Sequence, residues 1–216
     1  MEKLVVFGDS ISAGECSENN TSYVDFVKKE LDIKYVHNLA VSGTTIGDYS
    51  IYPVGPNSLL DMVFKHQEKV KVADTIFIEY GLNDVASLVA GYTTFNKVIV
   101  DFIKVIDEIK QLNSTAKIYF IALTENEKCL SKLSENYSNY LNNEYLTIPF
   151  FISEPKDILK TYVKLMYYIS MCNKIDVIYL LNENDDNFMD LYLAEDGIHP
   201  NKEGHKLMAD NIIKYM

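Results

Sequence analysis

The chain is poor in cysteine, in cationic side chains and in long apolar runs, and each shortage removes a class of function. Its cysteines are Cys16, Cys129 and Cys172, odd in number and without CxxC spacing, so a disulfide framework does not hold it together. They read as reduced thiols packed as small side chains. No signal-peptide pattern precedes the first apolar run, so the expected location is cytoplasmic. No apolar run approaches the ~20 residues that span a bilayer, and no membrane insertion is expected. Lys and Arg together number 20 against 31 Asp and Glu, for a formal charge of −11. That balance argues against nucleic acid as a partner, because phosphate binding needs clustered cations. It also disfavours anionic membranes and acidic polymers. His37, His66, His199 and His205 show no HxH or HExxH spacing, so neither a metal nor another cofactor is expected. A neutral ligand, a small molecule or a carbohydrate, fits what remains.

What is present is the composition of an ordinary globular chain: 216 residues, 48% hydrophobic and 24% charged. That length can bury a sizeable core as one domain over residues 1–216. Short apolar runs at 4–7, 35–39, 75–79, 117–123 and 176–181 are continuous rather than alternating, and read as five buried parallel strands. Helical spacing lies between them. Tyr23, Phe26, Val27 and Leu31 share one face, as do Leu59, Leu60, Val63 and Phe64. Val98, Phe102, Val105, Ile106 and Ile109 form the clearest stripe, and Leu207, Met208, Ile212 and Ile213 the last. Strands alternating with helices predict an α/β fold with a doubly wound sheet. Residues 46–57 hold two Pro, two Gly and two Tyr and read as a loop. The stretch 124–175 is long for a single crossover; a helix beginning near Pro155 is expected in it, after a helical or irregular insertion.

In an open α/β sheet, ligands bind outside the carboxyl ends of the strands. Gly8, Asp9 and Ser10 follow the first run, with Gly8 read as the residue that lets the chain turn sharply. Asn38, Ser42 and Gly43 follow the second, Gly81, Asn83 and Asp84 the third, and Asp196-Gly197-Ile198-His199-Pro200 comes after the fifth. A hydroxyl, flexible glycines, an amide and an Asp–His pair on one rim are the inventory of acyl transfer. Asp196 and His199 can share one turn, the carboxylate accepting from Nδ1–H and leaving Nε2 to take a proton from a hydroxyl. Pro200 biases His199 toward extended backbone. The same spacing suits an Asp cap on the final helix beside a solvent-facing histidine, and Asn83 equally suits a turn. Asp9 and Asp84 read as helix caps or hydrogen-bond acceptors, and His205 as facing solvent or capping a contact.

Taken in order, GDS, the glycine of NLAVSG, GLND and DGIHP resemble the four blocks of the SGNH (GDSL-type) hydrolase family, from residue 8 to residue 200. The resemblance implies a flavodoxin-like three-layer α/β/α sandwich around a central parallel five-stranded sheet, and hydrolysis of carboxylic esters without a cofactor. It implies Ser10 as nucleophile, His199 as general base and Asp196 as the residue that orients it. The N–H groups of Ser10 and Gly43 and the side-chain amide of Asn83 match the family's oxyanion hole.

Tyr49 and Tyr52, in the loop after Gly43, offer stacking surfaces and hydroxyls of the kind sugar sites use. The expected substrate is therefore a small acyl group, acetyl foremost, on a carbohydrate. Alternatives are a lysophospholipid or other lipid ester or thioester, transfer of the acyl group to a sugar hydroxyl, and a carbohydrate-binding relic without chemistry. Cys16, six residues after Ser10, reads as a bystander near the site. A histidine base acts neutral, so activity is expected to fall below about pH 6 to 7.

Overall fold

β1 (Lys3–Gly8) is the hub of the sheet, and Leu4, Val5, Val6 and Phe7 are at most 1% exposed. A strand without polar alternates needs cover on both faces, and that is where β1 lies. The computed structural model describes residues 1–124, 131–132, 135–136, 155–181 and 191–216. In it β2 (Tyr35–Asn38) pairs with one side of β1 and β3 (Thr75–Glu79) with the other, so that Val6 stands between Asn38 and Phe77. β4 (Lys117–Ala122) and β5 (Asp176–Tyr179) continue beyond β3, giving the order β2-β1-β3-β4-β5 with every pair parallel.

The helices among the described residues are α1 (Ser10–Ala13), α2 (Tyr23–Glu30), α3 (Leu59–Lys65), α4 (Gln67–Lys71), α5 (Leu82–Val89), α6 (Phe95–Leu112), α7 (Pro155–Cys172) and α8 (Lys202–Tyr215). α2 packs against α8, whereas α6 packs against α3, α4 and α7. The two groups cover opposite faces of the sheet in the three-layer α/β/α arrangement. The stripe on α6 is core: Val98, Phe102, Val105, Ile106 and Ile109 are fully buried, and Phe102 meets Phe120 of β4 edge-on at 5.3 Å. Among the described residues no helix is long and apolar enough to cross a membrane.

Two expectations need correction. β2 and β5 are sheet edges and are largely exposed or half-buried, because an edge strand is covered on one side only. Phe64 is 49% exposed, since the core face of the short α3 is made by Leu59, Met62 and Val63. α7 does begin at Pro155, a residue suited to a helix start, while the insertion expected ahead of it falls largely outside the described residues. Residues 46–57 carry no helix or strand.

The chain leaves β1 toward β2 and then crosses back to β3 on the other side. Between β1 and β3 the connections diverge, and a crevice opens at the carboxyl ends of the strands.

Candidate active site

Ser10 opens α1 immediately after β1, and Asp9 caps that short helix by accepting from the Ile11 N–H at 3.0 Å. Gly8 is required for space, not for a left-handed turn. A Cβ there would lie 2.3 Å from Ser12 Oγ and 3.2 Å from the Glu79 carbonyl oxygen. The serine is thus presented by α1 packing tightly back on the end of the strand.

His199 reaches Ser10 from the far end of the chain. Its Nε2 lies 2.9 Å from Ser10 Oγ, and its Nδ1 lies 2.5 Å from Asp196 Oδ2. The loop carrying both residues is folded around the carboxylate: Asp196 Oδ1 accepts from the Ile198 and His199 N–H groups, each at 3.0 Å. Gly197, at φ +70°, makes the turn in the region that favours glycine. Burial works against ionising Asp196, but the imidazole and the two backbone N–H groups together hold it below the ordinary carboxylate range. α8 is capped by Asn201, whose Oδ1 accepts from the Gly204 N–H at 2.9 Å, so Asp196 does not serve as its cap. Ser10 and His199 are both buried, and a serine so placed can pass its proton to Nε2.

Both face a cleft of about 300 Å³. Ser42, Gly43 and Asn83 line it beside Ser10 and His199; Tyr52, Val54, Leu82 and Ile198 supply apolar wall, and Glu15 an acidic group. The structure therefore brings together Ser10, His199, Asp196, Gly43, Asn83 and Tyr52. Tyr49 is the exception: it is 7% exposed, and its hydroxyl donates to Asp84 Oδ1 at 2.9 Å instead of facing the cleft. Asp84 Oδ1 also accepts from the Ile46 N–H at 3.0 Å, so this buried acid anchors the loop after Gly43. Burial pushes Asp84 up to about 7.

Asn83 is held firmly. Its Nδ2 donates to Asp9 Oδ2 and to the Thr44 carbonyl, both at 3.1 Å, which engages both of its N–H groups. An oxyanion in the cleft would draw on that amide by sharing or displacing one of these bonds. Beneath lies a buried network that the sequence reading missed. Ser12 Oγ donates to Glu79 Oε2 at 2.9 Å and meets the Tyr23 hydroxyl at 2.7 Å. Burial raises the Asp9 carboxyl to about 6; burial and then the Asp9 charge hold Glu79 well above the carboxylate range. The available signal was Glu79 itself, the lone acid in a strand that otherwise carries no charge.

Two other residues sit differently from expectation. His205 is fully buried, with Nδ1 accepting from the Tyr23 N–H at 3.2 Å, and burial lowers it to about 4. Cys16, six residues from Ser10 in sequence, lies directly behind the dyad, Sγ being 3.5 Å from Asp196 Oδ2 and 3.8 Å from His199 Nδ1. Partial desolvation at the loop and the Asp196 charge push its thiol up to about 11, which keeps it protonated and a poor nucleophile.

Solved structures share this fold. One is a lipase from a goat rumen metagenome, with a TM-score of 0.64, 15% identity and coverage of 99% of this chain and 97% of that one. Another is a catalytic mutant of an acetylxylan esterase from Geobacillus stearothermophilus, with a TM-score of 0.65, 18% identity and coverage of 99% and 93%. A family two carbohydrate esterase from Clostridium thermocellum, in complex with cellohexaose, gives a TM-score of 0.61 at 16% identity, covering 99% of this chain and 63% of that chain. No curated protein matches the sequence. The match that spans residues 6–207, from the strand ahead of Ser10 to the helix after His199, shows that this chain belongs to the GDSL-like lipase/acylhydrolase family.

Proposed function

We propose that the protein is a serine ester hydrolase that removes a small acyl group, acetyl foremost, from a carbohydrate. The observation that carries this reading is the continuous chain from Ser10 Oγ on the cleft through His199 to Asp196. His199 Nε2 takes the hydroxyl proton as Oγ attacks the ester carbonyl, and Asp196 keeps the ring oriented and stabilises the imidazolium. Ser10 N–H, Gly43 N–H and the Asn83 amide receive the oxyanion, each such donor contributing on the order of 100- to 1,000-fold in rate. His199 then protonates the leaving alcohol, and water releases the acyl group by the same steps in reverse.

A small acyl group is favoured by the cleft volume of about 300 Å³, at the lower end of small-molecule sites. Tyr52 on the wall offers a ring to a sugar face, and the acetylxylan esterase and carbohydrate esterase among the structural neighbours point the same way. The test is fluorophosphonate labelling with peptide mapping, followed by a panel of acetyl to long-chain esters. The label is expected on Ser10, and Ser10→Ala is expected to lose both labelling and turnover while remaining folded. Wild-type turnover by Ser10→Ala would end the nucleophile assignment, and preference for long chains would end the carbohydrate one.

A further inference from the structure

We propose that Cys16, Asp196 and His199 form an inhibitory site for a borderline-soft divalent cation, Zn2+ foremost. Among the described residues, Cys16 Sγ, Asp196 Oδ2 and His199 Nδ1 lie within 4.8 Å of one another. They offer one sulfur, one oxygen and one nitrogen, a donor set suited to zinc and ill suited to Mg2+ or Ca2+, which take oxygen ligands.

The distances can be compared with the ion's demands. Tetrahedral Zn2+, with bonds of about 2.3 Å to sulfur and 2.0–2.1 Å to nitrogen and oxygen, sets its ligands about 3.3–3.6 Å apart. The S–O and S–N separations of 3.5 and 3.8 Å already meet that within about 0.3 Å. The N–O separation of 2.5 Å must open by roughly 0.8 Å, which rotation of the half-buried Asp196 carboxylate supplies. Cys16 is exposed, so the ion has access from solvent, and water takes the remaining position. Cys16 itself takes a left-handed backbone conformation, φ +62°, with its thiol beside the Asp196–His199 pair.

Inhibition follows from proton placement. Coordination requires a thiolate, so the Cys16 proton leaves to water. At His199 the metal occupies Nδ1, and the ring proton that Nδ1 carried moves to Nε2. Nε2 then points a hydrogen at Ser10 Oγ and can no longer accept one. The serine stays protonated without any metal touching it.

The inhibitory consequence rests on the reading of His199 as base; the binding itself rests on the donor geometry alone. Both are tested on the full chain. Isothermal titration with ZnCl2 is expected to show one equivalent bound to wild type and to Ser10→Ala, and loss of that equivalent in Cys16→Ala. In p-nitrophenyl acetate hydrolysis, Zn2+ is expected to inhibit wild type and EDTA to restore it. Cys16→Ala is expected to keep basal activity and raise the half-inhibiting Zn2+ concentration at least about tenfold, and Cys172→Ala to leave it unchanged. Absence of bound zinc, or equal sensitivity of wild type and Cys16→Ala, would overturn the site. If zinc binds as expected but no ester is hydrolysed, the esterase reading fails and the metal site stands.

Discussion

Asp84 is the most exposed of the structural assignments to direct test, because its cost and its service can be separated by pH. The carboxyl is fully buried; Oδ1 holds the Ile46 N–H and the Tyr49 hydroxyl, while Oδ2 has no hydrogen-bond partner among the described residues. Burial, only partly offset by those two donors, raises it from 3.8 to about 7. Between those values the folded state binds more protons than the unfolded chain. Stability is therefore greatest below the lower value and falls as pH rises toward the upper one. At 1.36 kcal/mol per pH unit the full span corresponds to about 4 kcal/mol. Asp84→Asn keeps an oxygen for the two donors and removes the ionisation. Its stability relative to wild type should rise from near zero around pH 4 to about 4 kcal/mol at neutral pH and above. Urea unfolding of both proteins across this range reads the difference directly, and contributions that both share, such as that of His205, cancel. A difference that does not change with pH would refute the reasoning, and one that grows as pH falls would reverse its sign.

Asn83→Ala should lower kcat about 100- to 1,000-fold with little change in KM, and an unchanged kcat would take Asn83 out of the oxyanion hole. Gly8→Ala drives a Cβ to 2.3 Å from a Ser12 hydroxyl already fixed by Glu79 and Tyr23. It should cost about 1–3 kcal/mol in thermal or urea unfolding, and a wild-type melting temperature would show that Ser12 can move aside. His205, lowered from 6.5 to about 4, contributes stability that is present above the higher value and lost as pH falls through the lower one. The advantage of wild type over His205→Asn should thus shrink by about 3 kcal/mol across that interval; a constant difference would mean the ring is not held neutral.

Much of the fold was legible because its determinants are local. The runs of β1 and β3, without polar alternates along their length, call for a sheet covered on both faces, which they have, and the stripe from Val98 to Ile109 calls for a helix with one buried side. The order of GDS, Gly43, Asn83 and DGIHP along the chain was enough to bring Ser10, Asp196 and His199 to one rim, since the carboxyl ends of parallel strands share a side. Exposure was less legible. β2, whose His37 and Asn38 sit beside Tyr35 and Val36, lies largely exposed at an edge, and His205 has a surface residue's identity and lies in the core.

Contacts between side chains distant in sequence were decided by the tertiary structure alone. Tyr49 and Tyr52 are alike in the sequence, yet the position of Asp84 buries one and leaves the other on the cleft. Gly8 is needed because Ser12 and Glu79 approach it, a reason no backbone propensity contains. Cys16 became a neighbour of Asp196 and His199 only when residues 180 or more positions apart met at the end of the sheet. Pattern along a chain specifies which face a residue presents, because that depends on local periodicity. What that face meets depends on the packing of elements the local pattern does not encode.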